Sequence, residues 1–97
     1  MQETQSTAAD PKREDVEVSA SISRRIQKLG LPEPSVFITR VGTVVVDCRS
    51  DDVFGSFEFI DGVGATYRKI NDEDKGQILD IDPYDMTDEE LETVFNK

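Results

Sequence analysis

The chain has no histidine and no tryptophan, and its one cysteine is Cys48. Without histidine, the usual general base at neutral pH is missing, and with it the Ser-His-Asp and Cys-His arrangements. The same shortage of nitrogen and sulfur ligands argues against zinc. One cysteine allows no internal disulfide, which fits a reducing compartment. Long apolar runs are lacking too, and nothing approaches the ~18 residues of a membrane-spanning helix. Met1-Gln2-Glu3-Thr4 has neither the basic start nor the apolar stretch of a signal peptide. Together these shortages predict a cytoplasmic, non-enzymatic protein with no metal and no cofactor.

Basic charge is scarce as well. Eleven Lys and Arg stand against 21 Asp and Glu, a formal −10. Free nucleic acid is then a poor direct partner, because phosphate binding runs on Lys and Arg. An anionic membrane is disfavoured for the same reason. The natural complement is a basic protein surface. Adaptation to high salt would explain the same excess with no partner at all. At 97 residues there is room for one domain, and 36% apolar content supports a modest core.

The clearest structural signal is Phe57-Glu58-Phe59-Ile60-Asp61-Gly62-Val63-Gly64-Ala65-Thr66-Tyr67. Two alternating runs flank Asp61-Gly62, a hairpin dipeptide. A two-residue loop pairs Phe59 with Gly64 and Phe57 with Thr66. A three-residue loop, Ile60-Asp61-Gly62, pairs Phe59 with Val63 and Phe57 with Ala65. The second register gathers Phe57, Phe59, Val63, Ala65 and Tyr67 on one face, so the separation of apolar from polar predicts it.

Around this hairpin the chain reads in order. Residues 1–14 are too polar to repay ordering and are expected to form a disordered arm, leaving 15–97 as a single domain. Over 15–29 the pattern is double: Val16, Val18, Ala20 and Ile22 alternate like a strand, whereas Val18, Ile22, Ile26 and Leu29 recur like a helix face. Arg24 and Arg25 and the stop signal Gly30-Leu31-Pro32 predict a helix, at least from Ser19. Two strands follow, about 35–41 and 43–49, with Gly42 between them. After the central hairpin come a polar turn over 71–76 and a short strand, Gln77 to Asp82, ended by Pro83. Thr87 and Glu90 form a capping box, Met86 and Leu91 are placed as a staple, and Leu91, Val94 and Phe95 make a docking stripe. The fold class is α+β: a four- or five-stranded antiparallel meander with an N-terminal and a C-terminal helix on one face.

Chemistry-bearing patterns are thin. Cys48, in line with Val44 and Val46, reads as a buried hydrophobe rather than a reactive thiol. Residues 71–82 resemble a calcium loop in spacing, but Lys75 takes a ligand position and the flanks read as strands. Asp80 and Asp82, with Asp47 as a third carboxylate, lack the cleft that a catalytic pair needs. Gly62-Val63-Gly64 is hairpin punctuation, and the pairs Arg24-Arg25 and Arg68-Lys69 read as solvated faces with local salt bridges.

Charge asymmetry carries the most content. Residues 71–97 hold ten acidic and two basic residues, a formal −8 of the total −10. The expected contacts are Asp80, Asp82, Asp85, Asp88, Glu89 and Glu92, docking on a basic surface of a partner protein as a regulator or inhibitor. An ordered carboxylate row can imitate the ~1.7 Å charge spacing of duplex DNA. The alternative is a structural subunit or adaptor that binds through a strand edge or an apolar patch.

Overall fold

The computed structural model describes residues 10–70 and 75–96. Helix α1 spans Arg13–Lys28, and five strands follow: β1 Ser35–Ile38, β2 Val44–Ser50, β3 Val53–Ile60, β4 Val63–Ile70 and β5 Gln77–Leu79. A 3-10 turn over Pro83–Asp85 leads to helix α2, Asp88–Phe95. The strands form one antiparallel sheet in the order β1-β2-β3-β4-β5. Helix α1 packs over β2 and β3, and α2 over β3 and β4. The other face of the sheet is open. The expected arm falls largely on residues outside those described, and α1 already begins at Arg13. The polar turn over 71–76 also lies mostly outside the described residues.

The ends of α1 explain its length. Glu14 and Asp15 sit in its first turn and Arg25 and Lys28 in its last, complementing the helix dipole. At its C-terminus, Gly30 at φ +80° donates to Gln27 O and Leu31 to Ile26 O, the two bonds of a Schellman motif. Its buried stripe is Asp15, Ser19, Ile22 and Ile26. Half of that stripe is polar, which is why the apolar spacing alone was ambiguous.

Asp15 is buried to 1% exposure, and it makes no salt bridge among the described residues. Its Oδ2 accepts from the backbone N–H of Asp61 at 3.0 Å, and its Oδ1 accepts the Tyr84 hydroxyl proton. The Tyr84 oxygen in turn accepts from Gly62 N–H at 3.1 Å. One carboxylate thereby joins α1, the central hairpin turn and the C-terminal segment.

That hairpin departs from the expected register. Ile60 pairs with Val63, Phe59 with Gly64 and Phe57 with Thr66, so the loop is Asp61-Gly62. Both loop residues have positive φ, 52° and 85°, the turn whose twist matches the flanking strands. The expected apolar face is split: Phe57 and Phe59 face the helices, whereas Val63, Ala65 and Tyr67 point to the open face. The reason lies in what covers β4. The segment 81–84 crosses it so closely that a Cβ on Gly64 would lie 2.6 Å from the Pro83 ring. Thr66 Oγ1 donates to Ile81 O at 2.9 Å. This face needs residues that are small or hydrogen-bonding, so the apolar ones turn outward. Ile60, expected in the loop, is the last residue of β3.

Other boundaries shift by a few residues. Strands β1 and β2 are joined through the Thr39–Thr43 pair by a three-residue loop closed by Gly42 N–H to Thr39 O. Strand β5 stops at Leu79, and Pro83 opens the 3-10 turn rather than ending the strand. The capping box of α2 is present in both directions, with Thr87 N–H to Glu90 Oε1 at 2.9 Å and Glu90 N–H to Thr87 Oγ1 at 3.1 Å. Met86, Leu91 and Val94 join Ile22, Ile26, Val44, Val46, Phe57 and Phe59 in the core.

Two substitutions check this packing. Asp15→Ala leaves two donors without their acceptor and is expected to lower stability by about 3 kcal/mol in urea unfolding, with Asp15→Asn losing less. Gly64→Ala is expected to cost about 2 kcal/mol by overpacking against Pro83. A neutral Gly64→Ala would favour the three-residue register, in which that position faces solvent.

Candidate interaction surfaces

The six acidic residues singled out from the sequence lie on one continuous stretch that leaves β5, passes the 3-10 turn and runs along α2. All six are exposed. The stretch is ordered by its own hydrogen bonds. Asp82 Oδ1 accepts from Tyr84 N–H at 3.0 Å and caps the 3-10 turn. Asp88 pairs with Arg25 Nε at 2.8 Å, while Arg25 Nη2 donates to Met86 O at 2.6 Å. Asp80, Asp85, Glu89 and Glu92 make no salt bridge among the described residues. On α2, Asp88, Glu89 and Glu92 fall opposite the buried Leu91 and Val94. Asp82 and Asp88 thus have internal work, and the other four are free for an external contact.

The basic pairs divide. Arg25 is engaged as described and Arg68 Nη1 donates to Thr93 O at 3.3 Å, so one member of each pair ties α2 to the domain. Arg24 is exposed.

The second surface is the open face of the sheet, which sequence reasoning did not assemble. Register places Ser35, Asp47, Ser56, Tyr67 and Ile78 in one cross-strand row, and Phe37, Val45, Glu58 and Ala65 in the next. A groove of about 510 Å³ lies between them, walled by the rings of Phe37, Phe54 and Tyr67. Arg49 sits 5.3 Å over the Phe54 ring centroid. Asp47 lies in the groove, and its Oδ1 is buried with no hydrogen-bond partner among the described residues. Alternation with Cys48 was the available signal for Asp47. What it could not give was the wrong-looking register that brings Tyr67 into the same row.

Catalytic arrangements do not come together. Asp47 on β2 is three strands from β5, and Asp80 and Asp82 lie beyond the end of that strand. Among the described residues no group of three His, Cys, Asp or Glu is placed to hold a metal ion. The calcium-like spacing falls partly on residues outside those described. No helix among the described residues is long and apolar enough to cross a membrane.

Cys48 faces the helices with Val44 and Val46, 2% exposed, and its Sγ donates to Pro32 O at 3.4 Å. Burial raises its pKa above the ordinary value of 9.0. Tyr84 moves the same way, through burial first and then its bond to Asp15. A thiol held protonated is a poor nucleophile. Native protein at pH 8 is therefore expected to react with iodoacetamide far more slowly than urea-unfolded protein. Because the folded pKa is raised, this stabilisation is complete below about pH 9 and is lost as pH climbs through the folded value. Cys48→Ala should flatten that part of the stability–pH curve.

Comparison with protein-family models, with curated proteins and with solved structures returns no match.

Proposed function

We propose that the protein is a non-enzymatic regulator or inhibitor that docks its acidic flank on a basic surface of a partner protein. The supporting observation is that Asp80, Asp85, Glu89 and Glu92 are held on an ordered segment yet have no salt bridge among the described residues. Like charges that neighbour each other on a helix face, as Glu89 and Glu92 do three residues apart, cost a few tenths of a kcal/mol. A cationic partner removes that cost and is steered in by the long-range field. A nucleic-acid-binding groove is the most basic surface of this kind, and the carboxylates would then stand in for phosphates.

A second reading, a structural subunit or adaptor, draws on the open face. There Val41, Val63 and Ile78 are each about two-thirds exposed or more, at 67%, 68% and 72%. Apolar side chains left this exposed offer material for a docking surface. Salt separates the two readings, since added salt shortens the Debye length and weakens charge-driven binding while leaving apolar binding intact.

The test uses tagged protein against native lysate at low and high salt, with mass identification of what is retained. The variant neutralises Asp80, Asp85, Glu89 and Glu92 to Asn or Gln and leaves the structural Asp82 and Asp88 in place. A partner retained at low salt is expected to bind the variant about tenfold or more weakly, with an unchanged unfolding midpoint. Equal retention of the same partner by the variant would reject the acidic-flank reading.

A further inference from the structure

Strand β1 is an edge strand, and all four of its residues are exposed, Val36, Phe37 and Ile38 at 49%, 46% and 50%. Which of its backbone groups are free follows from register. Thr39 N–H donates to Thr43 O, so Thr39–Thr43 is a hydrogen-bonded pair. In an antiparallel ladder such pairs alternate. Phe37–Val45 and Ser35–Asp47 are therefore bonded pairs, and Val36–Val46 and Ile38–Val44 are not. The N–H and C=O groups of Val36 and Ile38 point away from β2, off the edge of the sheet.

Protein edges of this sort normally carry Lys, Pro, a bulge or an inward charge. Ser35-Val36-Phe37-Ile38 has none. Pro34 bounds it on one side and the Thr39–Thr43 loop on the other, so the open window is four residues long.

We infer that a second copy of this chain covers the edge, β1 against β1 about a two-fold axis, making one ten-stranded antiparallel sheet. The inference sharpens the subunit reading by naming its occupant, and it does not involve the acidic flank. The favoured register sets Val36 opposite Ile38 of the second copy and Ile38 opposite its Val36, with Phe37 meeting Phe37 across the axis. Each exposed apolar side chain of β1 then faces an apolar partner, and the outward groups of Val36 and Ile38 form four main-chain bonds. A shift that centres the axis on Val36 would instead set Ile38 against Pro34, which has no N–H to give. Such self-complementarity is what a two-fold interface requires.

Charge permits this edge and opposes the other. Residues 30–50 are formally neutral, with Glu33 and Asp47 against Arg40 and Arg49. The acidic flank begins at β5, four strand spacings away, or ~19 Å, about two Debye lengths at physiological salt. Pairing through β1 leaves the two acidic flanks at opposite ends of the joined sheet. Pairing through β5 would bring them together.

A four-residue pairing lies at the small end of specific interfaces, so a dimer that dissociates on dilution is expected, and light scattering from about 200 μM to about 1 μM checks it. The expected mass falls from twice 10.9 kDa to 10.9 kDa. Val36→Pro removes an N–H that β2 does not use and should give monomer at every concentration with unchanged circular dichroism. Hydrogen exchange on the unaltered chain gives an independent readout. Amides of Val36 and Ile38 should be protected only at high concentration, and that of Phe37 at both. Monomer throughout the range, or dimer with Val36 and Ile38 exchanging freely, overturns the inference. The subunit reading would survive the first result if a heterologous partner were still captured independently of salt.

Discussion

A buried carboxylate held by hydrogen bonds, with no salt bridge among the described residues, ties this domain together. Asp15 is an acid on the first turn of the first helix, and it accepts its hydrogen bonds from a backbone amide in the hairpin turn and from the Tyr84 hydroxyl. A buried charge is tolerated only where donors surround it. Here the donors come from segments 46 and 69 residues along the chain. Tyr84 is passed through in both directions, giving its proton to Asp15 and accepting from Gly62. Its ring also meets Phe59 edge-on with centroids 5.2 Å apart, which fixes the hydroxyl where the turn needs it. The left-handed turn, the helix start and the 3-10 turn are therefore one unit.

Much of the architecture was legible from residues with local meaning. Thr87 and Glu90 announce a helix start because both partners of the capping box lie within one turn. Gly30 announces a helix end, and Cys48 in line with Val44 and Val46 announces a buried strand face. The central register was not legible, and the reason is physical. Binary patterning assumes that a covered face has room for apolar side chains. Over β4 the segment from Ile81 to Tyr84 lies too close for that, with the Pro83 ring against Gly64 and the Ile81 carbonyl accepting from Thr66. The outward turn of Tyr67 and Val63 follows. The same logic hid the polar half of the α1 stripe, since Asp15 and Ser19 look solvent-facing until the turn they serve is in place. The exposure of the six acidic residues was legible, because charge seldom goes inside unpaired. The division between structural Asp82 and Asp88 and the uncommitted four was not, because it depends on Tyr84 and Arg25.

The sheet separates two kinds of surface. One margin, β5 with the following turn and α2, concentrates negative charge on an ordered scaffold. The opposite margin, β1, is neutral and apolar with outward-pointing amides. Meander connectivity imposes this separation, because strands adjacent in sequence are adjacent in space. A chain with its acids in the last quarter and its uncharged strand in the second quarter must then place them at opposite edges. The two surfaces can act without competing for the same area.

The distance in sequence between Asp15 and Tyr84 has a consequence for synthesis. Emerging from the ribosome, the first helix and four strands precede the segment that seals them. Until residue 84 is released, Phe57 and Phe59 lack part of their cover and Asp15 lacks its hydroxyl donor. A nascent chain arrested before that point would present a sticky, half-roofed sheet to its surroundings. Proper closure of this fold therefore waits until synthesis has passed residue 84.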